Sequence, residues 1–255
     1  MVHPKKYLGQ HFLTDPGIAA RIAGSLKSDS DTAVLEIGPG KGILTEHLLE
    51  RGLRRLVPVE IDPEAAAFLR QRWPGLENEL LEKDFLRLDL ARLEEEKMAV
   101  IGNFPYNISS QIFFHILEYK NTVVEIVCML QKEVAERLVS PPGSKQYGIL
   151  SVLLQAYYTA EYLFRVKPGS FFPPPKVQSG VIRLSRNTRQ SLPCDESLFK
   201  KIVKTTFQQR RKTIRNSLRT ILLNLNGDNE LLSKRPEQLS VEEFVALTNW
   251  VERQR

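Results

Sequence analysis

The chain has 255 residues, 36 Lys and Arg against 30 Asp and Glu, a formal charge of +6, and 42% hydrophobic residues. It is long enough for a sizeable core and a small appended domain; with only Cys128 and Cys194, neither near a His or Cys at ligand spacing, a disulfide framework or a metal site is not expected. The basic opening Met1-Val2-His3-Pro4-Lys5-Lys6 leads into no apolar signal segment and no run reaches membrane-spanning length, so a soluble, intracellular, cytoplasmic protein is expected.

Tyr7-Leu8-Gly9-Gln10-His11-Phe12-Leu13 precedes Thr14 and Asp15, either of which suits a helix cap, and Pro16 and Gly17 then enter a helix to about residue 26. The polar pair Gln10-His11 has no role in that helix, and a lone histidine is more often structural than a ligand. Residues 34–37 form a short apolar strand running into Gly38-Pro39-Gly40-Lys41-Gly42 and a helix over 43–50, an arrangement used to bind nucleotides. The spacing is G-x-G-x-G, without the last helix-packing glycine of the pyrophosphate fingerprint. That suits a nucleoside without a diphosphate, although a glycine turn by itself is often only a turn.

Residues 55–61 read as a second strand ending at Glu60 and Asp62, with Glu60 22 positions past Gly38. In a βαβ unit that distance puts a carboxylate where it accepts from both ribose hydroxyls; the plainer reading is a surface acid at a strand end. A helix over 63–73 follows, then a third strand over 79–83 closing on Asp84 and Phe85, an acceptor for an adenine amine beside a flat ring. The fourth strand, 98–102, ends in Asn103-Phe104-Pro105-Tyr106. Asn103 offers a side-chain carbonyl, Pro105 has no N–H, and Tyr106 adds an aromatic face, a set suited to holding the exocyclic amine of a planar base. Taken alone these four residues read better as a turn closing a strand. Four successive strands nevertheless end in ligand chemistry at Gly38, Glu60, Asp84 and Asn103, the edge at which open α/β sheets bind ligands.

A helix over 107–118, with Ser109 and Ser110 as candidate caps, precedes a central strand over 123–129 that buries Cys128. Helices over 131–139 and 147–157 lead to a closing antiparallel pair of strands, 162–166 and 180–185, around Phe171-Phe172-Pro173-Pro174-Pro175-Lys176. Phe171 or Phe172 is a candidate second wall of a base pocket, with an apolar plug as the alternative. The expected fold is thus α/β, with a seven-stranded sheet whose last pair is antiparallel.

Residues 1–185 carry 22 basic and 22 acidic residues, whereas 186–255 carry 14 and 8. Between Ser197 and Arg219 there are 8 basic residues and no acidic one, pointing to a polyanion partner or simply to a solvated basic helix. Apolar positions Phe199, Ile202, Val203, Phe207, Ile214, Leu218, Ile221, Leu222 and Leu225 follow helical spacing, interrupted at Arg210-Arg211-Lys212. A terminal helix over 237–253 would bury Leu239, Phe244, Leu247 and Val251. Two domains are expected, residues 1–186 and a basic helical domain, residues 187–255, suited to phosphate contacts.

In order, Gly9-Gln10-His11-Phe12-Leu13, Glu36-Ile37-Gly38-Pro39-Gly40, Glu60-Ile61-Asp62, Asn103-Phe104-Pro105-Tyr106-Asn107-Ile108-Ser109, Phe172-Pro173-Pro174-Pro175-Lys176-Val177-Gln178-Ser179 and Gln209-Arg210-Arg211-Lys212 resemble the small-subunit ribosomal RNA adenine N6-dimethyltransferases, the kasugamycin-sensitivity methyltransferases, over roughly residues 7–220. His11 and Phe104 depart from the family's usual Asn and Leu. The resemblance implies a Rossmann-like class I methyltransferase fold and S-adenosylmethionine as methyl donor, with S-adenosylhomocysteine as product. His11 and Leu13 would line the donor, Gly38 and Gly40 admit its methionine portion, Glu60 take the ribose, Ile61 and Phe85 flank the adenine, and Asp84 take the adenine amine. Asn103 would lie at the cofactor too, and with the Pro105 carbonyl accept from the target N6, while Tyr106 and Phe171 stack the flipped base. Lys204, Arg210, Arg211, Lys212 and Arg215 would contact RNA. The implied substrate is two adjacent adenosines in the 3′-terminal hairpin loop of small-subunit (16S) ribosomal RNA, each dimethylated by a monomer acting on a pre-30S particle. Two other readings share these motifs: a large-subunit adenine methyltransferase of the macrolide-resistance type, and an assembly or transcription factor whose catalysis is secondary. A nucleotide dehydrogenase fits the glycine spacing poorly.

Overall fold

The computed structural model describes residues 2–221 and 229–254. The predicted stripe positions Leu222 and Leu225 lie outside the described residues. Two compact units emerge, Met1–Ala135 with Ala160–Arg186, and Glu136–Thr159 with Asn187–Arg255.

The first unit holds the sheet. Strands β2 (Ala33–Ile37), β3 (Leu56–Glu60), β4 (Leu81–Glu82), β5 (Met98–Asn103), β6 (Val123–Gln131), β7 (Tyr158–Val166) and β9 (Ser179–Arg186) lie in the order β4-β3-β2-β5-β6-β9-β7. The first five are parallel, and β9 enters antiparallel to β6. Every residue of β2 and β3 is buried, as expected of parallel strands covered on both faces, which is why they read as apolar runs broken only by Glu36 and Glu60. Helices α1 (Pro16–Ala23), α2 (Ile43–Leu49), α3 (Pro63–Arg72) and α4 (Ser109–Glu118) connect these strands. Asp15 and Asp62 cap α1 and α3 by accepting from Ile18 N and Glu64 N. Helix α4 starts two residues later than its sequence pattern predicts, with Ile108 at the cap and no side-chain bond there. The sheet's core includes Ile22, Leu48, Ile101, Val127 and Met129, all fully buried. Cys128 is buried within β6, and burial holds its thiol pKa well above the ordinary value.

Register aligns the strand ends. Ile37 pairs with Val59 on one side and with Gly102 on the other, so Gly38, Glu60 and Asn103, each one step further, emerge in a row. Gly102 is needed there, because a Cβ would stand 2.5 Å from the Ile37 carbonyl oxygen.

A two-stranded ribbon unseen in the sequence pattern crosses this edge. Strand β1 (Phe12–Leu13) pairs antiparallel with β8 (Phe171–Phe172), placing Phe12 opposite Phe172 and Leu13 opposite Phe171. Thr14 N extends it by donating to Ser170 O at 2.8 Å.

The second unit is helical. It contains the second half of α5 (Lys132–Val139), with α6 (Ile149–Gln155), α7 (Glu196–Gln208), α8 (Ile214–Leu218) and α9 (Val241–Glu252). The division differs from the expected boundary after residue 186, since residues 136–159 cluster with the tail. The reason is packing: the Phe207 ring sits 6.2 Å from Tyr147 and 6.0 Å from Phe244, closing one aromatic core across α7, α9 and the turn before α6. Leu239, Phe244, Leu247 and Val251 are fully buried, as their spacing predicts. Among the described residues no helix is long and apolar enough to cross a membrane.

Candidate active site

At the carboxyl edge of β2–β5 lies a cleft of about 90 Å³. Gly38, Gly40, Glu60, Ile61, Asp84, Phe85, Asn103, Pro105, Tyr106 and His11 all line it. The topology thus brings together ten of the residues singled out in sequence.

The glycine turn has three distinct duties. Gly38 has φ +64° and nothing within 4 Å of where a Cβ would stand, so the turn leaves open space against the backbone. Gly40, at φ +58°, faces the Phe12 ring, 2.8 Å from its would-be Cβ. Gly42 caps α2, and a Cβ there would fall 2.3 Å from Trp73, so the third glycine does serve helix packing despite the altered spacing.

Glu60, 2% exposed, accepts from Gly40 N through Oε2 and from Asp62 N through Oε1, both at 2.9 Å. These bonds fix the carboxylate plane while leaving each oxygen a further lone pair. Burial raises its pKa against the pull of those backbone donors. Ile61 beside it is 48% exposed, an unusual condition for isoleucine and a ready apolar surface in the cleft. Asp84 caps the following short helical turn, Phe85–Arg87, by accepting from Leu86 N at 3.0 Å. The Phe85 ring packs on the edge of His115 at 5.2 Å.

Asn103 is the most informative residue. Its Nδ2 donates to the backbone carbonyl of His11 at 2.8 Å, while its Oδ1 is buried with no hydrogen-bond partner among the described residues. A buried acceptor left unmatched costs free energy, and this one, unlike the buried Tyr147 hydroxyl, lies in the lining of the cleft, where a ligand donor can reach it. The Pro105 carbonyl accepts from Ile108 N at 3.2 Å and keeps its second lone pair. Tyr106 is pinned through its hydroxyl to Ser179 Oγ at 2.6 Å, and its ring stacks on His11 with centroids 5.5 Å apart. His11 Nδ1 lies 2.7 Å from Pro173 O; a carbonyl only accepts, so Nδ1 carries the proton.

The sequence reading missed several supports. Gln10 accepts from Lys5 N at 2.8 Å, and Lys5 Nζ reaches Asp62 at 2.6 Å, tying the N-terminal segment to the cap of α3. Glu36 is fully buried, takes the Thr45 hydroxyl at 2.7 Å, and is pushed by burial up to about 8. It lines a smaller cavity beside the cleft with Leu13, Gly38, Lys41 and Asn103. Its only sequence signal was a charged residue inside an otherwise apolar strand.

Three expected site residues lie outside the lining of the cleft. Phe171 is 4% exposed and packed in the core, because strand alternation turns it to the same face as Leu13. Leu13 likewise packs in the core and borders the smaller cavity, not the main cleft. Arg210, in the helical unit and half-buried, donates to Ser144 O at 3.3 Å with Glu237 3.7 Å away, whereas Arg211 and Lys212 are exposed. Lys204 lies on α7 and Arg215 on α8, both half-buried.

The profile of the ribosomal RNA adenine dimethylases matches residues 1–252. The chain belongs to that family. Among curated relatives, the ribosomal RNA small subunit methyltransferase A of Parabacteroides distasonis is 56% identical over 97% of this chain and 94% of its own. The protein of the same name from Bacteroides thetaiotaomicron is 54% identical over 99% and 95%. Among solved structures, a dimethyladenosine transferase from Plasmodium falciparum superposes with a TM-score of 0.80 over 96% of this chain and 98% of that one; at 24% identity it speaks for the fold alone. The 23S rRNA methyltransferase ErmE superposes at 0.68 with 29% identity, over 93% and 99%. This adenine dimethylase family member is therefore an enzyme on the Rossmann-like class I methyltransferase sheet, with the antiparallel closing pair that the sequence predicts.

Proposed function

We propose that the protein uses S-adenosylmethionine to dimethylate N6 of two adjacent adenosines in the 3′-terminal hairpin loop of small-subunit ribosomal RNA. The observation that carries this reading is the unmatched Asn103 Oδ1, held at the cleft by the bond from Nδ2 to His11.

The residues present fit the donor. Glu60 has free lone pairs for ribose hydroxyls, exposed Ile61 and the Phe85 ring suit the faces of adenine, and Asp84 suits its amine. The open space at Gly38 and the cavity shared by Gly38, Glu36 and Lys41 suit an amino-acid tail. When bound, the donor supplies an electrophilic methyl group on a sulfonium.

The protein's own task is the nucleophile. Adenine N6 shares its lone pair with the ring; Asn103 Oδ1 and the Pro105 carbonyl, by accepting hydrogen bonds from its two N–H groups, favour a pyramidal nitrogen with its lone pair free. Positioning of this kind contributes on the order of 7–11 kcal/mol at best. The same acceptors spread the positive charge that develops on nitrogen. Tyr106, fixed by Ser179, offers a ring on which the base stacks once flipped from its helix. The proton leaves to water, with no dedicated base required.

Arg211, Lys212, Lys204 and Arg215 of the helical unit supply phosphate contacts that hold the RNA without reading its sequence. The setting is a monomer acting in the cytoplasm on a pre-30S particle. Curated relatives at 53–56% identity, against 29% for ErmE, favour the small over the large subunit. Mass analysis of ribosomal RNA from cells with and without the protein tests this. Two methyl groups on each of two neighbouring small-subunit adenosines should vanish on deletion; loss of a large-subunit methylation instead would refute it.

A further inference from the structure

Five large apolar side chains are exposed among the described residues, and three belong to the cleft or its margin: Tyr7, next to the lining residue Leu8; Ile61, in the lining itself; and Phe172. Phe172 is 57% exposed and is absent from the cleft lining, so it is not a wall for the base held at Asn103. Its position is nevertheless rigidly set. Opposite residues of an antiparallel pair share a face, so Phe172 stands beside Phe12, which lines the cleft, while Leu13 and Phe171 turn to the core. The next residue, Pro173, accepts the hydrogen bond from His11 Nδ1, the ring stacked on Tyr106. Phe172 thus sits one residue from a group that touches the base-stacking tyrosine. The flanking charge suits a polyanion: Lys167 and Lys176, on either side of Phe172 in the chain, are both exposed.

We propose that Phe172 is a stacking platform for the nucleobase adjacent to the one being methylated, a subsite for an unpaired base at the mouth of the cleft. A flipped nucleotide leaves its neighbour without a stacking partner on that side, and an exposed aromatic ring restores it regardless of base identity. For a substrate with two neighbouring targets, the same ring holds the second adenosine while the first reacts. The inference rests on the RNA reading above.

The test measures methyl transfer to small ribosomal subunits lacking the modification, for the parent protein and for Phe172→Ala, Phe172→Leu and Phe172→Trp, with Leu49→Ala as an exposed apolar control on α2. Calorimetry with S-adenosylmethionine alone checks that each variant keeps an intact cofactor site. Phe172→Ala is expected to lower kcat/KM for the subunit roughly tenfold, chiefly through KM, to leave cofactor affinity within about twofold, and to accumulate RNA modified at one adenosine only. Trp should restore activity and Leu should not. Parent-like kcat/KM in Phe172→Ala, or rescue by Leu equal to that by Trp, overturns the stacking role. An inactive parent overturns the substrate reading instead, before any variant is compared.

Discussion

Asn103 and His11 are joined before any substrate arrives: the amide nitrogen of one donates to the backbone carbonyl of the other at 2.8 Å, and the amide oxygen is left as a buried acceptor. The N-terminal segment therefore orients the Asn103 amide, the group proposed above to receive the target amine. Removing the acceptor by Asn103→Ala should lower kcat on the order of 100- to 1,000-fold, with cofactor affinity nearly intact. Single-turnover methylation and calorimetry separate the two, and methylation near the parent rate would refute the amine-holding role.

Gly38 and Gly40 make opposite predictions, though both have positive φ. Gly38→Ala places a methyl in open space where a ligand would lie, so cofactor affinity should fall at least tenfold while stability drops only by about 1 kcal/mol of backbone strain. Gly40→Ala drives a methyl into the Phe12 ring, 2.8 Å away, so it should lower the melting temperature by several degrees more than Gly38→Ala does. Thermal melts with and without cofactor distinguish the pair; equal melting temperatures would contradict the packing assignment.

What could be read from sequence divides along a physical line. Gly38, Glu60 and Asn103 were legible as a row of strand ends because β2, β3 and β5 are buried nearly throughout and read as largely apolar runs, whereas the strand before Asp84 is two residues long and partly exposed. The ribbon of Phe12–Leu13 with Phe171–Phe172 was not, since two-residue strands so far apart in the chain leave no periodic trace. Which of Phe171 and Phe172 is exposed depends on that register, and a shift of one residue would exchange them. The helices within residues 136–159 were legible as helices, but nothing local states that Tyr147 meets Phe207.

The RNA contacts can be separated by salt. Arg211 and Lys212 are exposed, so Ala at either should weaken RNA binding uniformly and reduce the slope of log affinity against log salt by about 1 each. Arg210, held by Ser144 O and near Glu237, should affect stability more than that slope. Filter binding across a salt series, alongside melts, reads both; an unchanged slope in Arg211→Ala and Lys212→Ala would remove them from the interface.

Glu36 makes the stability of the enzyme depend on pH in a direction opposite to that of a salt-bridged carboxylate. Burial raises its pKa from an ordinary 4.5 to about 8, with the Thr45 hydroxyl pulling weakly the other way and the charge of Glu60 adding to the rise. Between those two values the folded chain holds a proton that the unfolded chain has released, so this residue's contribution to stability is greatest below about pH 4.5, declines as pH rises toward about 8, and is level beyond. Glu36→Gln keeps a neutral side chain of the same shape with an oxygen able to accept from Thr45. The parent melting temperature should therefore fall relative to that of Glu36→Gln as pH is raised from about 6 to about 8, the two lying closest at the acid end. Melts of both proteins across that range decide it: parallel curves would mean that Glu36 is already ionised in the fold, and that the carboxyl in the small cavity beside Asn103 meets its ligand as an anion.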